Sequence, residues 1–323
     1  VNNLESIKQR EVVSESNIPY PAFKQGLKPK YGIVWRDITL GYVALALILL
    51  GVIVAGLYLP LIWMLLVVPV GAFASGYFLA YLNLFIHEAS HHNIHSDRKA
   101  NDKLANLFLC LPFGMEIQNY RLIHWEHHRL LGTPEDTEHS YFNALSLRFI
   151  LESLTGIRVL RIMLFRSRQV QRPGAPQVAA TRKKGRRMLI AGALFNAALL
   201  ATAIVAGAWP AAVAWVLAMG VFYPFFGSIR QLLEHRDEYA KADTDFSKTP
   251  HGKLSRLFAT NLFSRSFGAA GFTRHMLHHW DPTVSYTNLP EVERFLLTTP
   301  TCKTIIEESR TTYFTTFLKL MRQ

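Results

Sequence analysis

Residues 38–92 read ITLGYVALALILLGVIVAGLYLPLIWMLLVVPVGAFASGYFLAYLNLFIHEASHH. Two apolar runs, 38–59 and 61–85, are parted only by the turn Leu59-Pro60-Leu61. Each is long enough to cross roughly 30 Å of hydrocarbon at about 1.5 Å per helical residue, so the pair reads as a membrane hairpin with almost no exposed loop. Gly71, Ala72, Ala74, Ser75 and Gly76 lie in the second run; small residues there permit close helix contact, and packing is preferred over a substrate channel as their role. The stretch ends in His87-Glu88-Ala89-Ser90-His91-His92. If the second helix continues past the bilayer surface, His87 and His91 share one face, and His92 points roughly 100° further round.

Working outward, a second hairpin is expected at about 188–229, with its turn near Trp209-Pro210. Residues 104–118 are apolar but short and are interrupted by Pro112-Phe113-Gly114, which suits a re-entrant or interfacial element. Residues 143–169 mix Leu and Ile with Arg148, Arg158 and Arg161, a pattern resembling a helix in the interface. After Pro173-Gly174, residues 174–184 read as a loop, as do 236–253; 254–279 read as an amphipathic helix stopped by Asp281-Pro282, and the tail from 291 reads as helical again. Residues 1–35 are polar, without the pattern of a signal peptide, and read as a cytoplasmic arm. The expected fold is an all-α integral membrane protein of one domain. It has an arm (1–35), a hairpin (38–85), a cytoplasmic and interfacial part (86–187), a second hairpin (188–229) and a second cytoplasmic part (230–323), with four transmembrane helices under a helical di-metal cap.

Composition agrees. Of 323 residues half are apolar and 18% are charged, and the apolar ones come in blocks. Cys110 and Cys302 stand far apart, which argues against a disulfide framework or an iron–sulfur site. The net charge of +12 raises nucleic-acid binding, but the basic residues mostly flank apolar segments and no zinc-finger or recognition-helix pattern accompanies them. Arg158 to Arg187 holds ten Lys or Arg and no acidic residue. Beside membrane spans, such a stretch marks the cytoplasmic side, and it could also steer an acidic electron carrier or acyl-carrier protein. Two hairpins return the chain to the same side, so both termini, the basic block and every histidine group are expected there.

Ten of the thirteen histidines fall in three clusters and one isolated position. The clusters are His87, His91 and His92; His124, His127 and His128; and His275, His278 and His279; His235 stands alone. Neutral imidazole binds iron, zinc and copper. One zinc takes about four ligands and would leave most of these unused, whereas two metals would use nearly all. His95, His139 and His251 read as surface or packing residues, and His92 as supporting the site from outside the ligand set. A membrane metal-binding or metal-transport protein is the non-redox alternative; transport would favour polar residues inside the spans, and 38–85 has almost none.

The motifs His87-x-x-x-His91-His92, His124-x-x-His127-His128 and His275-x-x-His278-His279, in this order after hairpins, resemble the membrane-bound fatty acid desaturase and hydroxylase family. Arg230-Gln231-Leu232-Leu233-Glu234-His235 resembles its extra ligand site, and the likeness runs over about 36–295. What the resemblance implies is a di-iron centre that activates O₂ and cleaves an unactivated C–H bond, with an apolar tunnel that positions the acyl chain. Carried onto this chain, its nine ligands are His87, His91, His124, His127, His128, His235, His275, His278 and His279. Glu88, Glu126, Glu234, Asp281 and Asn288 are candidates to orient imidazoles through their second nitrogen. Trp125 and Trp280 would wall the site or anchor the interface. No fused haem module and no rubredoxin-like cysteine pairs are visible, so electrons are expected from a separate ferredoxin- or cytochrome-type carrier and its reductase. The expected setting is a bacterial inner membrane with the site on the cytoplasmic side, and the acyl group is carried by a lipid, coenzyme A or a carrier protein.

Overall fold

The computed structural model describes residues 4–169, 179–241, 244–249 and 254–323. Helix predominates, and the chain divides into two units. One comprises Trp35–His124 and Leu147–Ile229; the other comprises Val1–Val34, Trp125–Ser146 and Arg230–Gln323.

The first of these units carries the long apolar helices. Tyr31–Tyr58 is a helix of 28 residues, about 42 Å at 1.5 Å per residue. It stops at Leu59-Pro60, because proline offers no N–H to a preceding carbonyl. A 3-10 turn, Leu61–Trp63, leads into the helix Met64–Ser90. The second pair is Ala179–Val205, then Trp209–Leu217 continued through a π-helical turn, Ala218–Phe222, into Tyr223–His235. Gly207, at φ +72°, makes the reversal between them. Among the described residues, four segments are long and apolar enough to span a bilayer: Tyr31–Tyr58, Leu61–Ser90, Lys184–Val205 and Trp209–His235. Leu47, Leu57, Leu65, Leu66, Leu194 and Ile204 project from them fully or half exposed, an apolar surface that suits lipid rather than water.

The small residues pack the hairpins. A Cβ on Gly76 would come within 2.4 Å of Phe222 Cβ, at the π-helical turn, and one on Gly71 within 2.3 Å of Val52 Cγ2. Val52, Met64, Val68, Ala72, Ala211 and Ala214 form a buried seam. Asn196 supplies the polar link: its amide donates to the carbonyls of Pro112 and Gly192, at 2.9 and 2.8 Å, and accepts from Trp215 Nε1 at 2.8 Å. Gly192 lets the 179–205 helix touch Gly114, whose Cα lies 2.6 Å from where its Cβ would stand.

Several expectations are revised. The break at Pro112-Phe113-Gly114 is present, but the segment before it is a helix, Arg98–Leu104, running into a π-helical stretch, Ala105–Cys110. Residues 143–169 form two helices, Leu147–Leu154 and Ile157–Gln169, because Gly156 adopts φ +74° between them. The loop expected at 174–184 is helical from Ala179 on, where alanines are followed by long basic side chains that favour helix; its part at 174–178 lies outside the described residues.

In the other unit the N-terminal stretch, expected as a polar arm, contributes to the core. Leu4, Val12 and Tyr20 are buried in one core with Met276, Leu277, Trp280, Leu289, Leu296 and Ile305. The single helix expected over 254–279 is instead a strand, Leu257–Phe258, a helix, Leu262–Phe267, a 3-10 turn, Phe272–Arg274, and a helix, His275–Trp280. Ala270 and Gly271, at φ +50° and +85°, break the helical path. The strand pairs in parallel with Arg310–Thr311, a small addition to the all-α expectation. The loop expected at 236–253 is described only in part, and His251 lies outside the described residues.

The contact between Gly192 and Gly114 predicts a contrast. Gly192→Ala drives a methyl into the Gly114 backbone and should cost about 1–3 kcal/mol, the usual range for overpacking. Gly51→Ala, with nothing within 4 Å, should cost almost nothing. Thermal unfolding of both variants in one detergent would show it; equal melting would remove the Gly192–Gly114 contact from the account.

Candidate metal centre

The first histidine stretch rides the end of the helix Met64–Ser90. His87 lies in its last turn and His91 is the residue that ends it. The end is clamped from two sides. Asn101 donates to Ala89 O at 2.9 Å, and Arg121 donates to Ser90 O and Ala89 O at 2.7 and 3.2 Å, satisfying carbonyls that a helix terminus leaves bare. Arg121 is paired with Asp102. Burial alone would raise the Asp102 carboxyl, but the bonds from Arg121 and Asn101 outweigh it and hold the group below its ordinary value. His124, on the helix Ile117–Leu130, meets this end. Its Nε2 is 3.0 Å from His91 Nε2, its ring centroid is 4.4 Å from that of His87, and one nitrogen of each of the three lies within 4.8 Å of the others.

The other unit gathers the remaining six. His127 and His128 follow on the same helix, His235 ends the helix Tyr223–His235, and His275, His278 and His279 share one short helix. That helix buries Met276, Leu277 and Trp280 in the core described above. Nitrogens of His127, His235 and His279 lie within 4.8 Å of one another. His275 Nε2 is 2.9 Å from His235 Nε2 and 3.1 Å from His279 Nε2, and His278 Nε2 is 3.1 Å from His128 Nε2.

The donor chemistry fits a metal. His127 Nδ1 sits 2.8 Å from Asp136 Oδ1, and His235 Nδ1 sits 2.7 Å from the carbonyl of Leu254. Both partners accept, so both rings carry their proton on Nδ1 and turn the Nε2 lone pair into the cluster. Burial first, and then the neighbouring imidazoles, hold His275 and His279 well below the ordinary histidine value. Neutral, buried nitrogens a hydrogen-bond length apart are well matched to a cation between them.

The expected supporting residues are placed differently from one another. Glu88 is buried, with Oε1 3.6 Å from His87 Nδ1, longer than a hydrogen bond. Glu126 pairs with the exposed Arg129 instead of a ring, because the helix turns it outward. Glu234 accepts from Tyr313 at 3.2 Å and lies 3.7 Å from Arg230. Asp281 takes Tyr20 and Lys24, at 2.9 and 2.7 Å, and Asn288 donates to Lys28 O, so both tie the N-terminal stretch down. His92, at φ +61°, lies 3.5 Å from Arg121 and 3.7 Å from Asp102, outside the clusters. Trp125 is 40% exposed with its ring 5.6 Å from that of His128, while Trp280 is buried and donates to Ile7 O. His95 accepts from the Asp97 backbone at 3.0 Å, a local turn contact.

Asp136, Arg121 and Asn101 were not legible as site residues. Each is an ordinary polar residue in sequence, and only folding brings it to a helix end or a ring. The one signal was for Asp136, in the polar stretch Gly132-Thr133-Pro134-Glu135-Asp136 soon after the second cluster.

A family model described as Fatty acid desaturase matches residues 63–304, a range holding the nine clustered histidines and His235. A comparison with curated proteins finds no match.

The placement of His235 and His92 separates them experimentally. His235→Ala removes a nitrogen from the cluster with His127 and His279 and should lower the bound metal per chain; His92→Ala should leave it unchanged. Elemental analysis of both purified variants is the check, and full metal content in the His235 variant would remove that residue from the ligand set.

Proposed function

The chain belongs to the fatty acid desaturase family, and from that premise we propose that it is an O₂-dependent membrane desaturase. It introduces unsaturation into a fatty acyl chain, with two irons carried by His87, His91, His124, His127, His128, His235, His275, His278 and His279. Membership and the four long apolar helices make it a membrane protein of an oxidoreductase family with desaturase- or hydroxylase-type chemistry. One observation carries the finer reading: within one unit, buried imidazoles from three separated stretches, around 127, 235 and 275–279, converge.

Two irons would supply the activation of O₂ and the removal of hydrogen from an unactivated carbon. The chain's own part is to hold the rings. His127 and His235 are kept in the Nδ1–H form by Asp136 and the Leu254 carbonyl. The end of the 64–90 helix is fixed by Arg121 and Asn101, which sets His87 and His91. Burial of His127, His235, His275 and His278 excludes water from competing for their lone pairs. All nine ligands are neutral, so none offsets the charge of the cations.

In desaturation, two hydrogens leave neighbouring carbons and O₂ is reduced to two waters, with two electrons and two protons supplied from outside. A separate ferredoxin- or cytochrome-type carrier with its reductase would deliver the electrons. The basic stretch Arg158–Arg187 supports a cytoplasmic placement of the site, in a bacterial inner membrane, and would favour an acidic carrier.

Reconstitution with iron, O₂ and a reducing system, offering acyl chains linked to lipid, coenzyme A or carrier protein, tests this reading. Loss of two hydrogens from one substrate, with O₂ consumed, is the expected product mass. Gain of one oxygen would make the enzyme a hydroxylase, loss of four hydrogens an acetylenase. Reversible zinc or nickel binding with no O₂ uptake would sink the oxidative reading.

A further inference from the structure

Asp136 is wholly buried in the loop after the second histidine stretch. A buried carboxylate is costly unless donors surround it, and here three do. Oδ1 accepts from His127 Nδ1 and from the backbone N–H of Glu138, both at 2.8 Å, and Oδ2 accepts from the Tyr141 hydroxyl at 2.6 Å. The Tyr141 oxygen in turn accepts from the Gly132 N–H at 2.7 Å. Gly132 itself is fixed. It adopts φ +85°, and a Cβ there would stand 2.7 Å from the carbonyl oxygen of Phe246. The loop therefore closes on itself around one carboxylate, and that carboxylate faces one ring.

His235 belongs to the same cluster and has the same Nδ1–H form, but its partner is the neutral carbonyl of Leu254. The two rings thus differ in the charge behind them. A carboxylate draws the Nδ1 proton toward itself and raises the electron density at Nε2; a carbonyl does so less.

We propose that Asp136, held by Tyr141 and Gly132, is a positioning residue that fixes the plane of His127 and makes it a stronger donor than His235 toward a metal in the cluster His127–His235–His279. The inference rests on reading His127 as a ligand. It assigns Asp136 no contact with substrate.

The test uses the full chain in lipid nanodiscs, stripped of metal and titrated with Co(II), whose visible bands report the ligand field without any turnover. Asp136→Asn keeps the shape and an accepting oxygen but removes the charge. It should weaken cobalt about 10–100-fold at one site and shift the bands of that site, with the melting temperature of the apo-protein close to wild type. Glu126→Gln, at the outward-facing ion pair, should change neither. Unaltered cobalt affinity and bands in folded Asp136→Asn would overturn the proposal and leave Asp136 a loop fastener. Should that variant fail to fold, Tyr141→Phe decides: a smaller weakening at the same site is expected, and unchanged binding overturns the proposal. A wild-type chain that takes up no Co(II) would instead overturn the metal reading, so the two failures are distinct.

Discussion

Two imidazole nitrogens held about 3 Å apart away from water require something positive between them. His275 Nε2 has two such neighbours, His235 Nε2 at 2.9 Å and His279 Nε2 at 3.1 Å. His235 already commits its proton to Leu254, so its Nε2 brings only a lone pair. A single proton on His275 can bridge to one neighbour; a cation can take several lone pairs together. The surrounding structure serves that demand. The carbonyl behind His235, the carboxylate behind His127 and the core under Met276 and Leu277 all restrain rings that would otherwise turn apart.

Helix ends do most of the delivering. His91 closes one helix, His235 closes another, and His275–His279 occupy a helix of six residues. A terminus is a demanding place for a ligand, since its carbonyls lack partners and its last turn frays. Arg121 and Asn101 meet this at Ala89 and Ser90. The same pattern explains why the polar residues that matter are spread through the chain and are not confined to the histidine stretches.

The hairpins and the histidine stretches were legible because each depends on local sequence: unbroken apolar runs, a proline turn, and spacings of three and four. The corrections lie where distant residues decide. Gly156 splits an interfacial pattern that periodicity alone joins, and Ala270 and Gly271 divide a stretch that reads as one amphipathic helix. The apolar residues of the N-terminal stretch are scattered among polar ones, yet Leu4, Val12 and Tyr20 are buried because Trp280 and Leu296 are there to receive them. Glu126 looked well placed beside His127, but on a helix adjacent residues face apart, and it pairs with Arg129 instead. Asp136 carried no periodic or motif signal because its role is created by a loop that folds back.

The binding of the N-terminal stretch to the third histidine helix bears on the order in which the protein is made. Gln9 bonds to Trp280 O across 271 residues, Trp280 bonds to Ile7 O across 273, and Tyr20 reaches Asp281 across 261. During synthesis the early stretch must wait while the long apolar helices are made before its partner exists. Contacts so distant in sequence are slow to close. The core residues Leu4, Val12 and Tyr20 are thus exposed to wrong partners until the helix His275–Trp280 has been made.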